Sequence, residues 1–136
     1  MADNPSSEQA MQAGGVIAHL SIDGAAKAMD FYKKAFGAEE LMLMKSDDGQ
    51  RVMHGHLRIN GGDLMMADFF PDFGYPAVPA QGYALHLQVT DVDAWWKRAV
   101  DAGCEVTMPL AEQFWGDRYG QVKDPFGVTW AMAAPK

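Results

Sequence analysis

An internal duplication constrains this chain more than any other feature of it. The segment HLSIDGAAKAMDFYKKAFGAEEL, beginning at His19, lies over HLQVTDVDAWWKRAVDAGCEV, beginning at His86. His19 stands 67 residues before His86, Gly37 66 before Gly103, and Gly62 65 before Gly127, a drift that two single-residue gaps absorb. Such self-similarity means one supersecondary unit used twice, each copy needing a neighbour to bury its apolar face.

The unit reads as β-α-β-β-β. In VIAHLSI, Ala18, Leu20 and Ile22 take one face of a strand while Ile17, His19 and Ser21 take the other. Ala25, Ala28, Met29, Tyr32 and Phe36 then recur at helical spacing, and Gly37 supplies the stop. ELMLMK, RVMHGHLRI and DLMMADF follow as strands separated by SDDGQ and NGG turns. The second copy runs from YALHLQV through the helix Asp91 to Ala102, then EVTMPL, RYGQVKD and VTWAMA, with the turn DPFG before the last. The expected fold is therefore α+β, one domain (16–134) of two tandem βαβββ modules, 16–68 and 82–134. Each sheet has an apolar face for its helix and a mixed face, and two mixed faces placed together would enclose a shared cavity. The polar residues 1–15 are expected to be a flexible leader, and FFPDFGYPAVPAQG a long ordered connection between modules.

Composition narrows the partners. With 49% hydrophobic and 21% charged residues the chain is an ordinary globular one, and 18 acidic against 11 basic side chains give a formal charge of −7. That balance repels phosphate backbones and anionic lipid, so neither nucleic acid nor a membrane is an expected partner. No apolar run reaches the length of a spanning helix. The single cysteine, Cys104, excludes an intrachain disulfide and a thiolate cluster and fits a reducing compartment, so the expected location is cytoplasmic. GxSxG, Walker and GxGxxG patterns are absent, which leaves acyl transfer, phosphoryl transfer and dinucleotide chemistry without residues to carry them.

The repeat, the FYKKAFG ending of the first helix, DVDAWWKRAVDAGCEV and the closing KDPFGVTW resemble the vicinal oxygen chelate superfamily, which includes glyoxalase I, bleomycin-resistance proteins and extradiol dioxygenases. VMHGHLRINGGDLMMAD and EQFWGDRYGQVKDPFGVTW are similar to its PhnB-like branch. The resemblance implies the glyoxalase/bleomycin resistance/dioxygenase fold, a homodimer and a small-molecule ligand. In metal-dependent members it also implies a divalent ion held by His, Gln or Glu at four positions. Counted onto this sequence those positions are Ile17, Met66, Ala84 and Ala131, none of which offers a nitrogen or oxygen donor. No cofactor is expected at the usual centre.

Strand alternation sends His19 and His86 to the mixed faces, and His54 and His56 oppose Leu57 and Ile59, which belong under the helix. Four imidazoles on one cavity could form a displaced site for a divalent metal. The plainer role is hydrogen bonding on the cavity wall, since no carboxylate stands beside them on either strand. Trp115 and Arg118 lie on a segment expected to overhang the cavity, where a stacking face beside a forked cation suits an anionic or planar ligand; an Asp117–Arg118 pair that fixes the loop is the alternative. Seven methionines fall on strands, as core or as pocket lining. The expected function is ligand binding between His19, His54, His56 and His86 on one side and Trp115 and Arg118 on the other, with no catalytic residue nameable. The alternative is a metal-dependent or acid–base enzyme acting on a small polar metabolite.

Overall fold

A computed structural model describes residues 13–136, so most of the expected leader lies outside the described residues. The first module contains β1 (Ala18–Ser21), α1 (Ala25–Phe36), β2 (Glu39–Lys45), β3 (Val52–Ile59) and β4 (Gly62–Ala67). The second contains β5 (Leu85–Gln88), α2 (Val92–Ala102), β6 (Glu105–Glu112), β7 (Asp117–Lys123) and β8 (Thr129–Pro135). The sheets are built alike, in the orders β1-β4-β3-β2 and β5-β8-β7-β6. In each, the first and last strands of the module pair in parallel and the rest are antiparallel. The duplication read from the sequence is thus the architecture.

Local chemistry sets the helix ends. Gly37 closes α1 at φ 66°, its N–H donating to Lys33 O, a conformation that costs glycine least. No side chain next to α1 caps its start; Asp68, 44 residues on, accepts from the N–H groups of Gly24 and Ala25 at 2.8 and 3.0 Å. Its other oxygen accepts from Val52 N at 2.6 Å, so one carboxylate fastens the helix to β3. Asp91 caps α2 directly.

Each helix lies close against its own sheet because the third strand carries a glycine where they meet. A Cβ on Gly55 would come within 2.7 Å of Met29 Sδ, and one on Gly120 within 2.7 Å of the Trp96 ring. The two contacts are equivalent in the repeat. Leu20, Leu57 and Met66 are buried beneath α1, and Leu87, Val122 and Met132 on the matching face of the second sheet; burial of each such side chain contributes about 1.5–3 kcal/mol.

The modules join through their helices. α1 packs against α2, Arg98 Nε donates to Ala35 O at 3.1 Å, and the rings of Tyr32 and Phe36 lie 5.2 and 4.3 Å from that of Trp130. At the same junction Asp124, 4% exposed, accepts from Tyr32 Oη at 2.6 Å and Trp130 Nε1 at 2.9 Å. Because the helix-covered faces adjoin, the opposite, free face of each sheet is left bare. Among the described residues of one chain the two mixed faces are not brought together, so the shared cavity is not closed by them.

Candidate functional site

The free face of the first sheet follows from register. His19 on β1 lies opposite Met65 on β4, Met65 opposite His56 on β3, and His56 opposite Met42 on β2, a single row across four strands. His54 lies opposite Met44 in the neighbouring row. The expected grouping of His19, His54 and His56 is thus present. Burial, then the positive charges that His19 and His56 can carry, hold the His54 imidazole below its ordinary pKa. His56 is buried, with Nε2 3.2 Å from Asp63 Oδ1 but not aligned for a hydrogen bond. Asp63 comes from β4, so the expectation of no neighbouring carboxylate, drawn from β1 and β3 alone, is corrected; its Oδ1 also accepts from Arg58 Nε and Nη2 at 3.0 and 2.9 Å.

His86 stands on the free face of the second sheet, apart from the other three within one chain. Its Nε2 meets Gln88 Oε1 at 2.8 Å, and its ring stacks on Tyr119, centroids 6.1 Å apart. Tyr119 Oη accepts from Gln121 Nε2 at 2.8 Å. Trp115, before β7, lies edge-on to Tyr119 at 5.6 Å and donates from Nε1 to Asp117 Oδ2 at 3.1 Å. The face reads His86, Gln88, Tyr119, Gln121 and Trp115 over a floor of Ala131 and Ala133. Tyr119 and Gln121 were not singled out in the sequence, although their two-residue spacing within RYGQVKD was the available signal.

Arg118 is a correction. It belongs to β7 rather than to an overhanging loop, and it shares parity with Gly120, which faces α2. Its guanidinium turns to that side, where Nη2 donates to Asp93 Oδ1 at 2.8 Å, so it pairs with Asp93 rather than Asp117 and does not join Trp115 at a ligand. Met66 is likewise displaced by one residue: it lies opposite Leu20 and Gly55 in the core, and the free-face position is Met65. The corrected quartet of Ile17, Met65, Ala84 and Ala131 still provides no oxygen or nitrogen, so these residues do not fit a hard divalent ion. Among the described residues no three His, Cys, Asp or Glu side chains gather to hold a metal.

A cavity of about 690 Å³ lies beside the β2–β3 turn, lined by Met53, Phe70, Phe73 and Tyr75, with Arg51 paired to Asp72 at 2.8 Å and stacked 4.2 Å over Phe70. Cys104 is buried, and burial, then Asp124, pushes its thiol up to about 12, which keeps it protonated and inert. No helix among the described residues is long and apolar enough to cross a membrane.

The His54 environment gives a first expected outcome. In an NMR titration its ring protons should report a midpoint below the ordinary imidazole value near 6.5, and His19→Gln should move that midpoint upward. An unchanged midpoint would show that His19 does not act on it. Because the folded-state pKa lies below the unfolded one, His54 removes stability as pH falls from about 6.5 through the folded pKa.

The family model for the Glyoxalase/Bleomycin resistance protein/Dioxygenase superfamily matches residues 16–132. An uncharacterized protein of Mycobacterium tuberculosis, Rv0887c, is 46% identical over 123 residues, covering 86% of this chain and 72% of its own length. Protein YjdN of Escherichia coli is 26% identical over 138 residues, covering 87% of this chain and 93% of its own. Among solved structures, PA1353 from Pseudomonas aeruginosa superimposes with a TM-score of 0.73 at 25% identity, over 90% of this chain and 98% of that one. The fosfomycin resistance protein FosX from Listeria monocytogenes, complexed with Mn(II) and sulfate, gives a TM-score of 0.68 at 17% identity, over 93% of this chain and 95% of that one, a likeness of fold alone.

Proposed function

The chain belongs to the glyoxalase/bleomycin resistance protein/dioxygenase superfamily, and on that premise we propose that it is a cytoplasmic small-molecule-binding protein whose ligand lies on the free faces of its sheets. One observation carries the reading: the strand alternation that buries Leu20, Leu57 and Met132 leaves three histidines on one free face and His86, Tyr119 and Trp115 on the other. Exposed methionines and aromatics on sheet faces are costly in water unless something covers them. A second copy, placed so that the first sheet of one chain meets the second sheet of the other, would close the space and bring His86 to the remaining histidines. The homodimer is part of the proposal. Trp115 and Tyr119 offer stacking faces and the imidazoles hydrogen bonds of either polarity.

The second reading, an acid–base enzyme, is favoured by His54: a neutral imidazole at pH 7 can accept a proton. Both readings place the small molecule on the same residues, and turnover of a bound compound separates them.

A thermal-shift screen of small polar metabolites, glutathione adducts, catechols and glycopeptide antibiotics tests the proposal. A ligand at 100 times its Kd stabilises the fold by about 2.7 kcal/mol. For such a hit, His86→Ala and Trp115→Ala should each weaken binding at least tenfold while leaving the unliganded melting temperature within about 2 °C, since both side chains are exposed. Sedimentation should give a dimer. A hit whose affinity survives both substitutions, or a monomer under the screening conditions, overturns the arrangement.

A further inference from the structure

The free face of the first sheet carries a second chemistry that does not depend on the organic ligand. Its central row runs His19, Met65, His56, Met42, and the adjoining row adds His54 and Met44. Neighbouring strands lie about 4.7–4.9 Å apart, and the registers pair His19 with Met65, His56 with Met65 and Met42, and His54 with Met44, so each imidazole has a methionine beside it. Neither row contains a carboxylate.

We propose that this face binds a soft monovalent metal ion, Cu(I) with Ag(I) as its chemical equivalent, through the imidazoles of His19 and His56 and the thioether of Met65 between them, with Met42 beside His56. The donor set selects the ion. Thioether sulfur is a poor ligand for Mg, Mn or Zn ions and a good one for Cu(I), while imidazole suits both. The imidazoles do not make a site by themselves, because His19 and His56 are separated by the width of β4, and what β4 places between them is sulfur. The nearest carboxylate, Asp63, accepts two bonds from Arg58. His56 Nε2 is buried and makes no hydrogen bond, its neighbour being Asp63 Oδ1 at 3.2 Å. Met42 and Met44 are 40% and 52% exposed, so their sulfurs are within reach of an entering ion. Cys104, the other soft donor, is buried, with its thiol held protonated.

Titration of the full chain with Ag(I) in chloride-free buffer, followed by the ¹³C-methyl signals of its methionines, tests the site, with Zn(II) and Mn(II) as controls. One equivalent of Ag(I) should shift the Met65 and Met42 methyl signals, with an affinity at least a hundredfold above that for Zn(II). Met65→Leu and His19→Gln, each folded by circular dichroism, should weaken Ag(I) at least tenfold, and Cys104→Ser should leave the methionine shifts in place. Zn(II) bound as tightly as Ag(I), Ag(I) affinity indifferent to Met65→Leu and His19→Gln, methionine shifts lost in folded Cys104→Ser, or no binding at all would each overturn the proposal. Failure here leaves the organic-ligand reading standing, since that is scored by His86 and Trp115 on the other sheet.

Discussion

Replacing Asp124 by alanine is expected to cost about 3–5 kcal/mol of folding stability, at least about a fifth of the roughly 5–15 kcal/mol such a domain has. The carboxylate is buried without a cation and is satisfied by four donors instead. Oδ1 accepts from the N–H groups of Phe126 and Val128 at 2.9 and 3.0 Å, and Oδ2 from Tyr32 Oη and Trp130 Nε1. Removing it strands two buried side-chain donors as well as the turn, and each orphaned group costs about 1–3 kcal/mol. Tyr32→Phe, which removes one bond and leaves three, should cost about 1–2 kcal/mol. Asparagine keeps an oxygen but turns its amide donors toward the tyrosine or the indole, so it should recover only part of the loss. Urea denaturation decides the matter, and alkylation of buried Cys104 gives an independent reading: native protein should resist iodoacetamide, and Asp124→Ala should react faster as its second module opens more often. A loss below 1 kcal/mol would show that the junction is held by ring packing alone.

The second large effect is expected at Gly120. Its Cβ would meet the Trp96 ring at 2.7 Å and the Leu110 Cα at 2.8 Å. The indole can tilt; the backbone of β6 cannot move without disturbing its ladder. Gly120→Val should therefore cost about 3 kcal/mol or more, and adding Trp96→Ala should recover only a fraction of it, because Leu110 remains. Gly55 is the contrasting case. There the nearest atoms belong to the flexible side chains of Met29 and Met66, so Gly55→Ala should cost about 1–2 kcal/mol. Equal effects at the two positions would mean that the sheets, not the helix side chains, absorb the added volume.

Much of this was legible in the sequence, for reasons that can be stated. The duplication, the helix stop at Gly37 and the facing of His19, His54 and His56 all follow from local periodicities, and these are strong where one face of a strand is apolar. Arg118 is the first residue of the expected strand RYGQVKD, and its parity with Gly120 alone sends it to the helix side; grouping it with Trp115 follows the aromatic segment before it instead of that parity. A count of four along the chain from the turn glycine Gly62 lands on Met66, on the core side of β4, whereas the ladder opposite His19 gives Met65. The DPFG segment is the turn its composition indicates, but nothing in its spacing reveals that Asp124 reaches Tyr32, 92 residues away. Nor could strand alternation say which pair of faces adjoins; that depends on the fit of Tyr32 and Phe36 of α1 against Trp130 of β8.

Along β3, His56 sits between Gly55 and Leu57, so residues that face the helix and residues on the opposite face of the sheet alternate one by one. Descendants of this chain could therefore exchange every free-face side chain, and with it the molecule they recognise, without renegotiating the core. They could not add or delete a single residue there: a one-position shift would turn Leu57 out to water and drive His56 against Met29, losing fold and recognition together. Variation in such strands is confined to substitution, and length changes have only the turns in which to accumulate.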